Sequence, residues 1–151
     1  MEQTLIIFKP DALNRLLVGR ILARFEDKGL RVAALKLQQP PPAQVEKLYQ
    51  VHRGKPFYES LVAFMTSGPV ILAVLEGPAA IAVARNQLGA TDGREAAAGT
   101  IRGDFGLDHR YNLVHASDGP DTARFEIDLF FRPEEIVSYE RAPDRWIVSK
   151  G

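Results

Sequence analysis

The sequence contains no cysteine among its 151 residues. Disulfide bonds, thiolate catalysis and cysteine-based metal sites are therefore excluded. The sequence also lacks any apolar run that approaches the ~18 residues needed to span a bilayer. Residues 1–4 lack the basic start and the long apolar stretch of a signal peptide, so the sequence predicts a cytoplasmic protein.

An excess of charge of either sign is also missing. Lys and Arg together number 19, as do Asp and Glu, so the formal net charge is zero. General nucleic-acid binders and membrane-surface binders usually carry a basic excess, and this balance argues against both. Local positive pockets for a small anion remain open.

The length and the composition of the chain predict one globular domain over residues 1–151, because 46% hydrophobic and 25% charged residues are ordinary for such a protein. The order of its predicted strands and helices makes this a mixed α/β domain. The apolar periodicity and the Gly and Pro positions predict strands at 4–8, 30–37, 70–75 and 111–116, helices at 13–25, 43–50, 58–65, 78–88 and 118–130, a helical turn after Pro133 and an irregular tail at 141–151. The pattern leaves the strand order open, and both parallel and antiparallel sheets are compatible with it.

Two segments stand out in this pattern. At 13–25 the apolar residues recur every four positions, which predicts one continuous helix with a buried stripe and Gly29 as its C′ residue. Residues 90–110 are polar and rich in glycine, and they show no strong period. A loop of this length within a compact domain is usually functional or disordered.

The segment 112–118 carries the most chemical information. Asn112 and His115 are three residues apart, and the run from Ser117 to Pro120 predicts the capped start of a helix. Backbone N–H groups at a helix start attract phosphate, and free imidazole is nucleophilic at neutral pH because its pKa is about 6.5. The alternative is a histidine that is hydrogen-bonded at a strand end and has only a structural role.

Three cations favour the chemical interpretation. Lys9 ends the first predicted strand, Arg85 lies late in the helix at 78–88, and Arg102 lies in the glycine-rich segment 99–105. Each alone is more often a solvated surface charge. Together with a histidine and a helix start they predict phosphate recognition, because Arg gives bidentate contacts and Lys gives a point charge.

From about residue 4 to residue 147, the chain resembles the nucleoside diphosphate kinase family. The resemblance is carried by Asn-x-x-His-x-Ser-Asp at 112–118, Lys-Pro-Asp at 9–11, Ser-Gly-Pro at 67–69 and Gly-Thr-Ile-Arg-Gly-Asp-Phe at 99–105, in the family's order. It implies an α/β (α+β) fold with a ferredoxin-like core, in which split β-α-β units form a four-stranded antiparallel sheet with flanking helices.

The resemblance also implies the reaction. The γ-phosphate of a nucleoside triphosphate, mainly ATP, would pass to a nucleoside diphosphate through a phosphohistidine, with broad base specificity that maintains NTP and dNTP pools. His115 would be the nucleophile through Nδ1, and ping-pong kinetics would follow. Glu126 would set the tautomer of the ring, and Ser117 would hydrogen-bond near both of them.

The remaining roles follow from the same resemblance. Lys9, Tyr49 and Asn112 would contact the phosphates, the sugar or the surroundings of the phosphohistidine. Arg85, Thr91 and Arg102 would hold the phosphates; Phe57 and Leu61 would stack on or pack against the base. Mg²⁺ would arrive with the nucleotide, so no protein metal ligand is expected.

The sequence departs from the family pattern at four positions. Lys55 stands where the family usually has Arg, which predicts a weaker ion pair beside Pro56. Gly93 and Ala98 replace common prolines, which predicts a looser loop and weaker subunit assembly. His109 falls where relatives often have a small apolar residue near the base, and its role is either base contact or none.

The sequence leaves two other classes of function to weigh. One is a catalytically silent relative that acts as a binding or regulatory module, which the presence of the whole set of expected residues disfavours. The other is nucleic-acid binding, which the missing basic excess disfavours. The resemblance implies a homo-oligomer, with a hexamer favoured over a tetramer, and no membrane partner.

Overall fold

Four strands form one antiparallel sheet in the order β2-β3-β1-β4. The computed structural model describes residues 1–151. In chain order the elements are β1 (Glu2–Phe8), α1 (Pro10–Asn14), α2 (Val18–Lys28), β2 (Arg31–Gln38), α3 (Pro42–Leu48), a 3₁₀ turn (Gln50–His52), α4 (Tyr58–Met65), β3 (Val70–Gly77), α5 (Ala80–Leu88), α6 (Ile101–Phe105), β4 (Val114–Ala116), α7 (Pro120–Phe130), a second 3₁₀ turn (Pro133–Glu135) and α8 (Asp144–Ile147).

The sheet topology confirms the predicted ferredoxin-like architecture. Strand β3 lies between β1 and β2 and splits the first β-α-β unit, and β1 lies between β3 and β4. The central position of β1 explains its continuous apolar run, because both of its faces are covered. The pairing of Ile7 with His115 brings the histidine strand against the centre of the sheet.

Two apolar cores cover the two faces of the sheet. Side chains alternate between the faces of a strand, so Ile6 and Phe8 enter one core with residues of α2 and α5. Leu5 and Ile7 enter the other core, with residues of α3, α4 and α7. The sheet is thus a central layer that apolar side chains cover on both faces.

The predicted continuous helix at 13–25 is wrong. The chain forms α1 and α2 instead, and between them Leu16 adopts a left-handed φ of +58°. The buried stripe of α2 is present at Leu17, Ile21 and Phe25, and Gly29 has the left-handed conformation expected of a C′ residue. The four-residue spacing therefore predicted correctly which side chains are buried, but it gave no sign of the turn at Leu16 that interrupts the helix.

The region predicted as a long loop at 90–110 contains the short helix α6, which the hydroxyl of Thr100 caps by accepting from the N–H of Gly103. Strand β4 begins at Val114 rather than at 111, and the tail at 141–151 includes α8. Gly119, not Ser117, is the N-cap residue of α7, and Pro120 occupies its first turn. None of the helices combines the length and the apolar composition that crossing a bilayer demands.

Candidate active site

A cavity of about 590 Å³ lies at the end of the sheet where β1 stops and β4 begins. Its walls come from the end of β1, the first 3₁₀ turn, α5, α6, β4 and α7. The structure brings most of the predicted site residues into this one cavity, namely Lys9, Tyr49, Arg85, Thr91, Arg102, Asn112, His115 and Glu126. Segments more than 100 positions apart in sequence therefore share one site.

The ring of His115 is oriented by a carboxylate. Its Nε2 lies 2.9 Å from Oε2 of Glu126, whose side chain is only 4% exposed. The other carboxylate oxygen, Oε1, accepts a hydrogen bond of 2.5 Å from the hydroxyl of Ser117. Because an ionised carboxylate only accepts, Nε2 carries a hydrogen, and in the neutral ring the lone pair is on Nδ1.

The same chain of hydrogen bonds continues into the sheet. The hydroxyl of Ser117 accepts from the N–H of Leu5 in β1 at 3.2 Å, and Ser117 is fully buried. The ring of His115, the carboxylate of Glu126 and the central strand are thus connected through one serine. Ser117 does not line the cavity, and it contacts Glu126 on the side away from it.

Asn112 joins the loops around the cavity. Its Oδ1 accepts a hydrogen bond of 2.8 Å from Nζ of Lys9. Its Nδ2 donates to the carbonyl oxygens of Thr91 at 3.2 Å and of His109 at 2.9 Å. Both ends of the amide are therefore satisfied within the protein, and Asn112 fixes the position of the Lys9 ammonium group.

The three cations of the cavity have no carboxylate partner. Lys9, Arg85 and Arg102 are absent from every ion pair of the structure. Arg85 donates to the carbonyl oxygen of Ala116 at 3.1 Å, and Arg102 donates to that of Val114 at 2.6 Å. Carbonyl oxygens orient these groups without neutralising them, so three cations without ion-pair partners face the cavity, whose lining also includes the carboxylates of Asp118, Asp121 and Glu126.

The pKa values of two of these cations reflect their burial and the repulsion from a neighbouring cation. Burial, followed by the charge of Arg102, lowers the pKa of Lys9 to about 8. Burial, followed by the charge of Arg85, lowers the pKa of Arg102 to about 10. Cations that destabilise one another in a partly dehydrated cavity favour the binding of a multivalent anion, because the anion removes their repulsion.

A second cavity of about 290 Å³ adjoins the first and shares His115, Lys9, Tyr49 and Asn112 with it. It also contains the predicted base-contacting residues Phe57 and Leu61. The side chain of Phe57 is 40% exposed, so its ring is free to contact a planar ligand. The site thus has a part with three cations on one side of His115 and a part with Phe57 in the adjoining cavity.

Comparison with known proteins identifies the family. Residues 2–136 match the family model described as nucleoside diphosphate kinase. A nucleoside diphosphate kinase of Thermomicrobium roseum is 55% identical over 148 residues, which cover 98% of this chain and 99% of the relative. One from Archaeoglobus fulgidus is 50% identical over 150 residues, which cover 99% of both chains.

Solved structures agree with these sequences. A nucleoside diphosphate kinase family protein from Babesia bovis superposes with a TM-score of 0.95 at 46% identity and covers 98% of this chain and 100% of its own. The enzyme of Halobacterium salinarum, solved in complex with CDP, gives a TM-score of 0.96 at 41% identity and covers 98% of this chain and 99% of its own.

The chain belongs to the nucleoside diphosphate kinase family. It is therefore a nucleotide-binding phosphotransferase, and its cavity holds three cations that can contact phosphate oxygens. No three His, Asp or Glu side chains are close enough together to hold a metal ion.

Tyr49 lies next to the histidine in this kinase site. Its ring is edge-on to that of His115, with 6.4 Å between the ring centroids. Its hydroxyl group is buried and has no hydrogen-bond partner in the protein. Burial, followed by the charge of Glu126, raises the pKa of Tyr49 well above its usual value, so the phenol remains a neutral donor. The structure thus leaves one buried donor near the ring of His115 without a partner.

Sequence reasoning missed His52 and Arg110. His52 lines both cavities, and its ring centroid lies 5.2 Å from that of Phe57. Arg110 lines the second cavity together with His109, for which base contact was one of the two expectations. The aromatic spacing of Tyr49, His52 and Phe57 in one short segment is the signal that was available for His52.

The structure also clarifies the departures from the family pattern. Nζ of Lys55 lies 3.4 Å from Nδ1 of His52 and 5.9 Å from the ring centroid of Phe57, and Lys55 forms no ion pair. A Cβ on Gly93 would lie 2.4 Å from the backbone of Gly106, so this position requires close backbone contact. Gly93 is therefore a packing residue of the loop, whereas Ala98 is exposed.

Proposed function

We propose that this chain transfers the γ-phosphate of a nucleoside triphosphate, mainly ATP, to a nucleoside diphosphate through a phosphohistidine at His115. One observation carries the proposal: an imidazole with its tautomer set by Glu126 lies among three cations that have no carboxylate partner. A nucleophile with an available lone pair and a site built for a polyphosphate are the two requirements of this reaction.

In the first half-reaction Nδ1 of His115 attacks the γ-phosphorus, the bond from that phosphorus to the β,γ-bridging oxygen breaks, and the nucleoside diphosphate leaves with the bond electrons. The proton on Nε2 stays on the ring and remains hydrogen-bonded to Glu126, whose charge stabilises the positive charge that develops on the imidazole. In the second half-reaction a terminal phosphate oxygen of another nucleoside diphosphate attacks the phosphohistidine, and the P–N bond breaks.

The side chains around the histidine have separate proposed roles. Arg85 and Arg102 bind phosphate oxygens and neutralise charge during the transfer, with Thr91 beside them. Lys9, held by Asn112, provides a fixed point charge at the phosphates. Tyr49 donates to the phosphates or the sugar. Mg²⁺ would arrive with the substrate, since phosphate oxygens are ligands that it prefers, and it would neutralise part of the phosphate charge.

Base recognition is proposed to be broad. Phe57 and Leu61 offer an aromatic face and an aliphatic side chain, and every base has a face that stacks on them. Low discrimination between bases suits an enzyme that maintains both NTP and dNTP pools. His109 and Arg110 line this cavity and are the polar groups closest to a bound base in the proposal.

We also propose one domain over residues 1–151 and assembly into a homo-oligomer, with a hexamer favoured over a tetramer. The edge strand β2 exposes Leu35 at 50% and Leu37 at 66%. Apolar side chains on an open sheet edge are a common site of association. Light scattering measures the oligomeric state directly. The cytoplasmic location stays a prediction from composition.

Labelling with γ-³²P ATP tests the reaction. The chain has three histidines, so the test compares the wild type with His115→Ala and with the matched control His109→Ala. The wild type and the control should form an acid-labile, base-stable phosphoprotein, and addition of unlabelled nucleoside diphosphate should remove the label. A label that persists in His115→Ala, or a wild type without label, overturns the proposal.

A further inference from the structure

Asp11 is connected to the active site although it lines neither cavity. It lies in the first turn of α1, and its Oδ2 accepts a hydrogen bond of 3.0 Å from the N–H of Leu113, 102 positions later in the chain. Leu113 lies between Asn112, which holds Lys9, and the strand that carries His115. Asp11 therefore contacts the backbone of the segment that presents the catalytic groups.

The backbone of Leu113 is in an unusual conformation. Its φ is +76° although it is not glycine, and its side chain is fully buried. A branched residue adopts this region only where its surroundings impose it, and such positions cluster at functional sites. The segment 9–11 binds both backbone polar groups of Leu113. The side chain of Asp11 accepts from the N–H of Leu113, and the N–H of Lys9 donates to its carbonyl oxygen at 2.9 Å.

The hydrogen bond from Leu113 requires an oxygen acceptor at position 11 but no charge, so a neutral amide oxygen can accept it as well. The other carboxyl oxygen of Asp11, Oδ1, is buried and without a partner. Burial raises the pKa of Asp11. Its charge acts on Lys9 and Arg102, and it raises the pKa of each against the larger effect of their burial.

We propose that Asp11 is a positioning residue for phosphoryl transfer, whose side chain holds Leu113 in the left-handed conformation and so fixes Asn112 and His115 relative to Lys9. The inference rests on the proposed function, because the group that it positions is the proposed nucleophile. Asp11 itself touches neither phosphate nor ring. Its loss is therefore expected to slow the chemical step more than it weakens nucleotide binding.

The test compares Asp11→Ala, Asp11→Asn and a matched control, Asp144→Ala, in the full chain. Asp144 also accepts from a backbone N–H, that of Arg141 at 2.7 Å, and it lies in the C-terminal segment away from the cavity. For each variant the single-turnover rate of phosphoprotein formation from ATP, the Kd for ADP and the midpoint of thermal unfolding are measured.

Asp11→Ala should slow phosphoprotein formation by roughly 100-fold, as displacements of about 1 Å in a catalytic geometry do, while the Kd for ADP changes by less than about threefold. Asp11→Asn retains an acceptor for Leu113 and should recover most of the rate. Asp144→Ala should leave rate and Kd unchanged. If Asp11→Ala does not fold, Asp11→Ser replaces it, because its shorter side chain ends before the N–H of Leu113.

Three results overturn the inference. The first is an Asp11→Ala rate within about threefold of the wild type, a change that corresponds to less than 1 kcal/mol. The second is an equal loss of rate and of ADP affinity, which indicates general damage to the site. The third is an Asp11→Asn variant as slow as Asp11→Ala. A wild type that takes no label is a different outcome, since it removes the proposed function itself.

Discussion

Nζ of Lys9 donates a hydrogen bond of 2.8 Å to Oδ1 of Asn112, across 103 positions of the chain. Lys9 is only 7% exposed, and its cation has no carboxylate partner. The amide of Asn112 orients the ammonium group without neutralising it. This relationship keeps a positive charge available at the proposed phosphate site.

The pH dependence follows from Lys9. Burial and the charge of Arg102 lower its pKa to about 8, so the cation is present below that pH and is lost as the pH rises through it. We expect kcat/KM, which reports groups of the free enzyme, to fall above about pH 8. Activity measured with MgATP from pH 6 to 10 tests this expectation.

Lys9→Arg is the control for the pH experiment, because a guanidinium stays protonated near pH 8, where Lys9 titrates. Its kcat/KM should be lower than that of the wild type but should lack the decline near pH 8. A decline at the same pH in Lys9→Arg would assign the titration to another group. A wild-type profile that is flat from pH 7 to 10 would also contradict the prediction.

Glu126→Gln should slow phosphorylation of His115 by roughly 100-fold, because an amide hydrogen-bonds Nε2 but does not stabilise a developing positive charge on the ring. Ser117→Ala removes the 2.5 Å hydrogen bond to the other carboxylate oxygen and leaves the charge in place, so a loss of about threefold to tenfold is expected. Rapid-quench labelling measures both rates. A Ser117→Ala effect as large as that of Glu126→Gln would show that orientation, rather than charge, dominates.

Phe57→Ala should raise the KM for nucleotide by roughly tenfold and leave kcat nearly unchanged, because base stacking contributes about 1–3 kcal/mol and is far from the reacting atoms. The same factor is expected for ATP, GTP and CTP, since stacking tolerates any base. Steady-state kinetics with the three substrates provide the measurement. A change in KM confined to one base would indicate specific recognition at this cavity.

Gly93 and Ala98 should respond in opposite directions to substitution. Gly93→Ala places a Cβ 2.4 Å from the backbone of Gly106, so a loss of about 1–3 kcal/mol in the free energy of unfolding is expected. Ala98 is exposed and its N–H donates to no protein group, so Ala98→Pro should stabilise by about 0.4–1 kcal/mol. Denaturant unfolding at fixed protein concentration measures both effects, and light scattering shows whether assembly changes. A Gly93→Ala variant as stable as the wild type would mean that the close contact between position 93 and Gly106 relaxes easily.

Most residues of the cavity were predictable from the sequence, because they belong to motifs with a recognisable residue type and spacing. His115, Glu126 and the three cations lie together as the resemblance implies. The hydroxyl of Ser117 contacts Glu126 as expected, and within the run 117–120 that was predicted to cap a helix the N-cap residue is Gly119. A hydroxyl group near a helix start can bond to a backbone N–H or to a side chain, and the packing of α7 against β1 places Glu126 within reach of Ser117.

By itself the sequence determined the buried strands and the amphipathic stripe of α2, because these depend on local periodicity, and the resemblance of its motifs supplied the proposed reactive groups. Only the tertiary structure decided the strand order, the interruption of the first helix at Leu16 and the left-handed backbone of Leu113. The physical reason is that long-range contacts select each of these states. The conformation of Leu113 costs energy locally, and it persists because Lys9 and Asp11, folded against it from the start of the chain, bind both of its peptide groups.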